Sequence, residues 1–380
     1  MIVYSIAARF GGSGIGYTAA QAVTGIHRAG LLRRLFASST ATAAVPGRLM
    51  RHWGIIGRGF KYLGAKDPTA LLYYLESRLF DAWVAAQMPS ADVFHGWSSM
   101  CLLSLRAARR SGMLTIVERP SSHTLTQNRL LREEYRRWGV PVRVPTWSEA
   151  LSIREMQEAD YITIASPFVR QSMLEAGLPV EKLIEIPYGV DLSRFQPPTA
   201  PASHPFRAIF AGQISLRKGV PYLLDAWQRL GWTDAELWLV GAPTPDFAAI
   251  RRRWPALAGV RFIPHTPDLP ALFAQSDLFV LPTIEEGSAL VTYEALAAGL
   301  PVLTTPHAGS IVRDGIEGFL VPIRDVEALC QRLEQLRADF GLRRQMAVAA
   351  RQRVAGFTWD HYRERLLAAY RRIAPRLAEN

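Results

Sequence analysis

The segment Asp277–Thr305 (DLFVLPTIEEGSALVTYEALAAGLPVLTT) constrains the fold of this chain more than any other. Leu278 to Leu281 is an apolar run of strand length. Pro282 to Gly287 follows as a loop that carries Glu285 and Glu286. Ser288 is placed to cap a helix over Ala289–Ala298, which Gly299 ends and Pro301 keeps from resuming. Val302 to Thr305 is the next strand. Strand, loop, helix and strand in this order are the repeating unit of a parallel α/β sheet.

The same segment carries chemistry. At the start of its helix the amides of Ala289, Leu290 and Val291 lack intrahelical partners and lie at the positive end of the helix dipole, an arrangement suited to phosphate. Glu294 sits about one turn inside. A carboxylate there would repel a phosphate, so it calls for another partner, and a vicinal diol such as a ribose offers two donors to its two oxygens. Between Ala289 and Ala298 only Thr292 and Glu294 are clearly polar. A helix apolar nearly all round is buried, and a lone buried acid needs a ligand or a structural ion pair.

Elsewhere strands and helices alternate. Strands are expected at Ile2–Ala7, Val93–His95, Leu114–Val117, Tyr161–Ala165 and Leu183–Ile186 in the first half, and at Phe206–Gly212 and Leu237–Gly241 in the second. A glycine loop follows the first strand (RFGGSGIG), with Gly12 and Gly14 free to approach a ligand. Gly14, Gly16 and Ala19 match the dinucleotide pattern G-x-G-x-x-A, but the acid that should hold a ribose about twenty residues on is missing, since the first acid is Asp67. Arg119, Ser122 and His123 lie just past a strand end, where ligands of open parallel sheets bind, with His95 a second candidate. Arg217 and Lys218 lie in a loop between a strand and a helix over Pro221–Leu230, where two cations can neutralise a pyrophosphate. Gln196–Pro205 is Pro-rich and lacks charged side chains apart from a histidine, as an interdomain linker would.

With 380 residues and nearly half of them apolar, the chain can build two domains with sizeable cores. Two cysteines far apart fit neither a disulfide framework nor a zinc site. There is no secretory signal pattern and no apolar run of spanning length, so the expected location is cytoplasmic. The net charge of +11 is uneven: nine Arg and Lys precede the first acid. Pro46–Gly64 (PGRLMRHWGIIGRGFKYLG) interleaves cations with large apolar residues and reads as a mobile basic-aromatic loop, either touching lipid headgroups or an anionic lipid-linked acceptor or, equally, forming a partly buried connection. That asymmetry suits an anionic neighbour such as a membrane surface.

Glu286 and Glu294, seven residues apart on loop and helix and followed by ALAAGLPVL, resemble the E-x7-E segment of the family-four retaining glycosyltransferases (glycosyl transferases group 1). The common family form is E-S-F-G-I-V-x-x-E; here Gly287, Ser288, Ala289 and Leu290 replace S, F, G and I. Ile186–Phe195 (IPYGVDLSRF) is similar to the family's I-P-N-G-V-D-x-x-x-F. Around Gly212, the family's G-R-L-x-x-x-K-G keeps Lys218 but has Gln213 for the arginine.

The resemblance implies an α/β protein of two Rossmann-like domains facing across a cleft, the GT-B fold. Residues 1–196 would form the acceptor-side domain and 197–359 the nucleotide-sugar domain, with a terminal helix over 360–380 packing back on the first. It also implies a transferase that moves a sugar from a nucleotide-diphosphate donor to a hydroxyl of a carbohydrate or lipid-linked acceptor, with retention of configuration. Such a reaction belongs to cell-surface polysaccharide or glycolipid synthesis, at the inner face of the membrane. His123, Glu286, Lys218 and Arg217 would act at the reacting centre. Gly12, Gly14, Gly212, Gln213, Gly241, His265, Ser288, Ala289, Leu290, Val291 and Glu294 would join them around the donor. No Asp-x-Asp occurs, so neither a metal nor another cofactor is expected, and no nucleic-acid partner. The alternatives are a non-catalytic nucleotide-sugar-binding or scaffold protein of this fold, and an NAD(P)-binding enzyme using the Gly14 loop.

Overall fold

The computed structural model describes residues 1–53, 71–142, 146–197 and 204–378. Most of the Pro46–Gly64 segment and the centre of the Gln196–Pro205 linker lie outside them. The described start of the former is not loop throughout, because Met50–His52 pairs as an edge strand.

Among the described residues thirteen strands form two wholly parallel sheets. The first contains β1 (Ile2–Phe10), β2 (Leu32–Thr40), β3 (Met50–His52), β4 (Val93–Trp97), β5 (Leu114–Glu118), β6 (Tyr161–Ile164) and β7 (Leu183–Glu185), in the order β3-β2-β1-β4-β5-β6-β7. The second contains β8 (Phe206–Ala211), β9 (Ala235–Val240), β10 (Val260–Ile263), β11 (Leu278–Leu281), β12 (Val302–Thr304) and β13 (Gly318–Leu320), in the order β10-β9-β8-β11-β12-β13. In each sheet the chain starts near the middle, winds to one edge and returns past its start. The strand order therefore reverses beside β1 and beside β8, and ligands of open parallel sheets bind at such reversals. Four strands escaped the sequence reading: β2, β3, β10 and β13.

Each sheet has its own apolar core, yet each core borrows a helix from the other half of the chain. The helix Thr124–Trp138 follows β5 of the first sheet, but Leu130 and Trp138 join the core of the second. Trp138 packs against Tyr222 and Trp254 with ring centroids 5.6 and 5.7 Å apart. Arg324 ties the helix down through Glu133 and the fully buried Glu134 at 3.2 and 2.8 Å. In return, the helix Trp359–Ile373, capped by Thr358, buries Trp359, Tyr362, Leu366 and Tyr370 in the first core. Its Arg363 stem lies so close to the helix Ile15–Arg28 that a Cβ on Gly25 would meet it at 2.9 Å. His95, fully buried on β4, holds the Tyr370 hydroxyl at 2.6 Å through Nδ1. This candidate from the sequence thus joins helix to sheet and does not face a cleft. Among the described residues no helix is long and apolar enough to cross a membrane, and both cysteines are buried and unpaired.

Candidate functional site

β11 is buried along its whole length, and the loop beyond it is pinned on both flanks. Thr283 Oγ1 and the Ile284 amide donate to the Arg217 carbonyl at 3.0 and 2.8 Å. The Glu286 and Ala289 amides donate to the His307 and Ala308 carbonyls at 3.0 and 2.9 Å. The helix then runs Leu290–Ala297, with Ala289 as an extended N-cap that has no side-chain cap. The sequence expectation of a Ser288 cap fails by one residue. Ser288 is buried, and its hydroxyl meets the Tyr293 hydroxyl at 3.1 Å. With no side chain over the helix end, the Leu290 and Val291 amides keep no partner among the described residues, which leaves them to an anion. The Ala289 amide, by contrast, is already used.

Glu294 points from this helix into a narrow recess bounded by Tyr17, Asp191, Arg194, Leu290 and Trp359. It has no hydrogen bond or ion pair among the described residues. Burial raises its carboxyl to about 7, with Arg194 alone opposing. An acid half-buried in a recess and left unpaired costs stability, which is the mark of a group kept for a ligand.

Gly219, in left-handed conformation at the start of the helix Val220–Leu230, brings in the cations. A Cβ on it would sit 1.9 Å from the Pro282 carbonyl oxygen, so the loop after β8 lies directly on the loop after β11. Lys218 Nζ thereby reaches Glu286 Oε1 at 2.7 Å. Burial alone would push the Glu286 carboxyl up, but Arg217 and Lys218 outweigh it and hold it below the usual range. Arg217 departs from its expected freedom to meet a phosphate. Its Nε and Nη2 donate to the fully buried Glu285 Oε2 at 3.0 and 2.9 Å, and Glu286 is 3.6 Å away. Gly212 and Gly241 end β8 and β9 in close contact: a Cβ on Gly241 would lie 1.9 Å from the Gly212 carbonyl oxygen. Gln213 beside them is exposed, and so is His265 beyond the edge strand β10. Among the described residues no contact ties His265 to the glutamates.

The first domain meets this loop directly. Glu285 also accepts from the Ser122 amide and hydroxyl at 3.0 and 2.8 Å and from Gln127 Nε2 at 3.1 Å. Ser166 Oγ donates to the Gly287 carbonyl at 2.5 Å, and a Cβ on Gly287 would lie 1.8 Å from the Pro120 carbonyl oxygen. Glu285, Ser122 and Gln127 were not singled out from sequence as one cluster; two adjacent acids in a loop look alike until docking decides which one faces the other domain. His123, expected in the cleft, is buried and caps the helix Thr124–Trp138, its Nδ1 accepting from the Leu125 amide at 3.3 Å. Burial, with Arg119 adding to it, lowers this imidazole to about 4, as suits an acceptor that stays neutral. On β1, Gly14 has φ 59° and opens the helix Ile15–Arg28, while the Gly12 amide closes a turn onto the Arg9 carbonyl at 2.9 Å.

Known proteins share this layout. Residues 205–339 match the family model described as Glycosyl transferases group 1. The chain is 28% identical over 287 residues to the D-inositol 3-phosphate glycosyltransferase of Salinispora arenicola, covering 62% of this chain and 64% of that protein. The chain therefore spans less than two thirds of that relative's length. Among solved structures it is similar to the sucrose-phosphate synthase of Thermosynechococcus elongatus, with TM-score 0.68, 18% identity and 98% of each chain covered. It is also similar to Anabaena Alr3699/HepE in complex with UDP and glucose, with TM-score 0.70, 16% identity and 97% and 98% of the two chains covered. The two sheets and their strand reversals match those of the solved structures, so the chain has the GT-B fold, and its second half carries the group 1 glycosyltransferase match.

Proposed function

We propose that the protein transfers a sugar from a nucleotide-diphosphate sugar to an acceptor hydroxyl held by the first domain, with retention of configuration. The observation that carries this reading is Glu294, a partly buried, unpaired carboxylate one turn inside a helix whose first two amides are without partners among the described residues. The diphosphate takes the Leu290 and Val291 amides, and the ribose diol takes Glu294. Lys218 is paired with Glu286. An arriving diphosphate competes for that lysine, and the freed Glu286 carboxylate turns to hydroxyls of the transferred sugar. Charge grows on the diphosphate as the glycosidic bond breaks, so fixed amide dipoles and a nearby ammonium stabilise the transition state more than the ground state. Arg217 contributes through Glu285 and Glu286, and His123 by holding the loop over Arg119–Ser122. No divalent ion is required in this scheme, since protein dipoles and a cation supply the stabilisation. The basic stretch of the first domain, where burial together with Arg51 and Arg33 depresses Arg34, suits an acceptor on an anionic membrane surface.

Thermal melting with UDP, GDP and ADP, with and without EDTA, tests the donor. One of the three should raise the melting temperature and EDTA should not abolish the rise. Glu294→Ala and Lys218→Ala should each weaken binding at least tenfold. A flat response of the wild type to all three diphosphates would falsify the reading.

A further inference from the structure

A cavity of about 480 Å³ opens at the carboxyl ends of β1, β4 and β5, on the first-domain side of the loop that carries Glu285 and Glu286. Its wall includes the half-exposed Tyr73, Trp97, Ser98, Arg119, Gln127 and, from the second domain, Arg217. Among the described residues no carboxylate lines it, although two guanidiniums do. The two differ. Arg217 is neutralised by Glu285 at 2.9 Å. Arg119 is 6% exposed and has no carboxylate in ion-pair contact among the described residues.

The partners of Arg119 are all neutral. Its Nε and Nη2 donate to the Ser122 carbonyl at 2.9 and 2.7 Å, and Nη2 also donates to Gln127 Oε1 at 2.8 Å. Its Nη1 has only two long bonds, to the hydroxyls of Ser98 at 3.3 Å and Ser152 at 3.4 Å. The weakly satisfied edge of a buried guanidinium is thus the one that reaches Ser98, a residue of the cavity wall. Burial lowers the guanidinium to about 10, with Glu285 and Glu155 opposing at longer range. A buried cation with neutral partners is costly, and a ligand anion in the cavity would offset that cost with strong charge-assisted bonds. The rest of the wall suits a sugar: ring faces for its apolar face, and hydroxyl and amide groups for its polar rim.

We propose that this cavity holds the acceptor, and that the acceptor is a saccharide bearing an anionic substituent, carboxylate or phosphate, for which Arg119 is the counter-ion. The proposal rests on the glycosyltransferase reading and deepens it. Arg217, on the cavity wall, is 3.6 Å from Glu286, so a saccharide seated there has hydroxyls beside the place assigned to the transferred sugar.

Saturation-transfer NMR tests this on the full chain saturated with whichever of UDP, GDP or ADP binds, using D-glucuronate, glucose 6-phosphate, methyl α-D-glucoside, acetate and inorganic phosphate. At least one anionic saccharide should bind fivefold or more tightly than the neutral glucoside and than the bare anions. Preference for glucuronate or for glucose 6-phosphate identifies the anion. Arg119→Gln should remove the preference, with the retained diphosphate signal showing that the variant is folded; Arg119→Lys should restore part of it. Equal binding of neutral and anionic saccharides by the wild type overturns the proposal and leaves the donor reading intact. So does binding of the bare anions as tightly as the saccharides. Loss of all diphosphate binding by the wild type overturns both. Because the wild type alone discriminates these outcomes, a poorly folding variant does not blunt the test.

Discussion

Three glutamates of one segment meet different fates because their neighbours offer them different things. Glu285 is surrounded by donors from both domains, Glu286 by two cations, and Glu294 by almost nothing. Glu294 was legible in the sequence, since a lone acid on an otherwise apolar helix has few explanations. Glu285 was not, because its significance comes from Ser122 and Gln127, far away in the chain. Removing it takes the partner from the half-buried Arg217 and leaves the Ser122 and Gln127 donors unmatched, so Glu285→Ala should destabilise the protein by roughly 1–3 kcal/mol in denaturant titrations, more than Glu286→Ala. Glu294 predicts a pH dependence. Its carboxyl is raised from the ordinary 4.5 to about 7 by burial, so between these values the folded state keeps a proton that the unfolded state has lost. Stability should therefore fall as pH rises from about 4.5 to 7. Glu155, raised to about 7 by burial, adds to the fall in the same window. Glu294→Gln should flatten the Glu294 share of the curve, up to about 3 kcal/mol at 1.36 kcal/mol per unit; an unchanged slope would count against an unpaired Glu294.

At the level of elements, the strand ends that carry the site were readable because each is a short apolar run closed by a glycine or proline. The strands β2 and β3 were harder. Arg33 and Arg34 interrupt the apolar pattern of β2 with adjacent cations, and β3 is a short edge strand whose pairing depends on β2. The helix start was misplaced by one residue because the Ser288 hydroxyl meets the Tyr293 hydroxyl, a side-chain partner in the following helix that capping rules do not consider. Gly287 has a clear physical reason. The family form E-S-F-G has serine there, but in this chain a Cβ at 287 would lie 1.8 Å from the Pro120 carbonyl oxygen. Gly287→Ser should thus force the two loops apart and cost about 1–3 kcal/mol, as overpacking generally does. The melting temperature would register the loss, and a variant as stable as the wild type would show that the loops do not touch in solution.

Across the whole molecule, each sheet is completed by a helix that the chain supplies from the other half. Helical spacing marked the terminal helix and the family resemblance implied its return to the first sheet, but the helix Thr124–Trp138 and its place in the second core were not read from the sequence, since an apolar stripe does not say which sheet it will cover. Two domains coupled in this way should melt together, and calorimetry should show one transition whose van't Hoff and calorimetric enthalpies agree. Tyr370→Phe probes the coupling at one atom. It leaves the buried His95 Nδ1 without its 2.6 Å partner, at a cost of roughly 1–3 kcal/mol, and should lower that single transition without splitting it. The exchange also sets an order of assembly. During synthesis the first sheet emerges complete, but the helix Trp359–Ile373 that seals it is translated only after the entire second sheet. Until then Tyr4, His95 and Glu118, buried in the finished protein, lack that cover. The domain made earliest is therefore the one finished last, and a ribosome-arrested chain ending before Thr358 should remain open to protease in its first half while its second half resists.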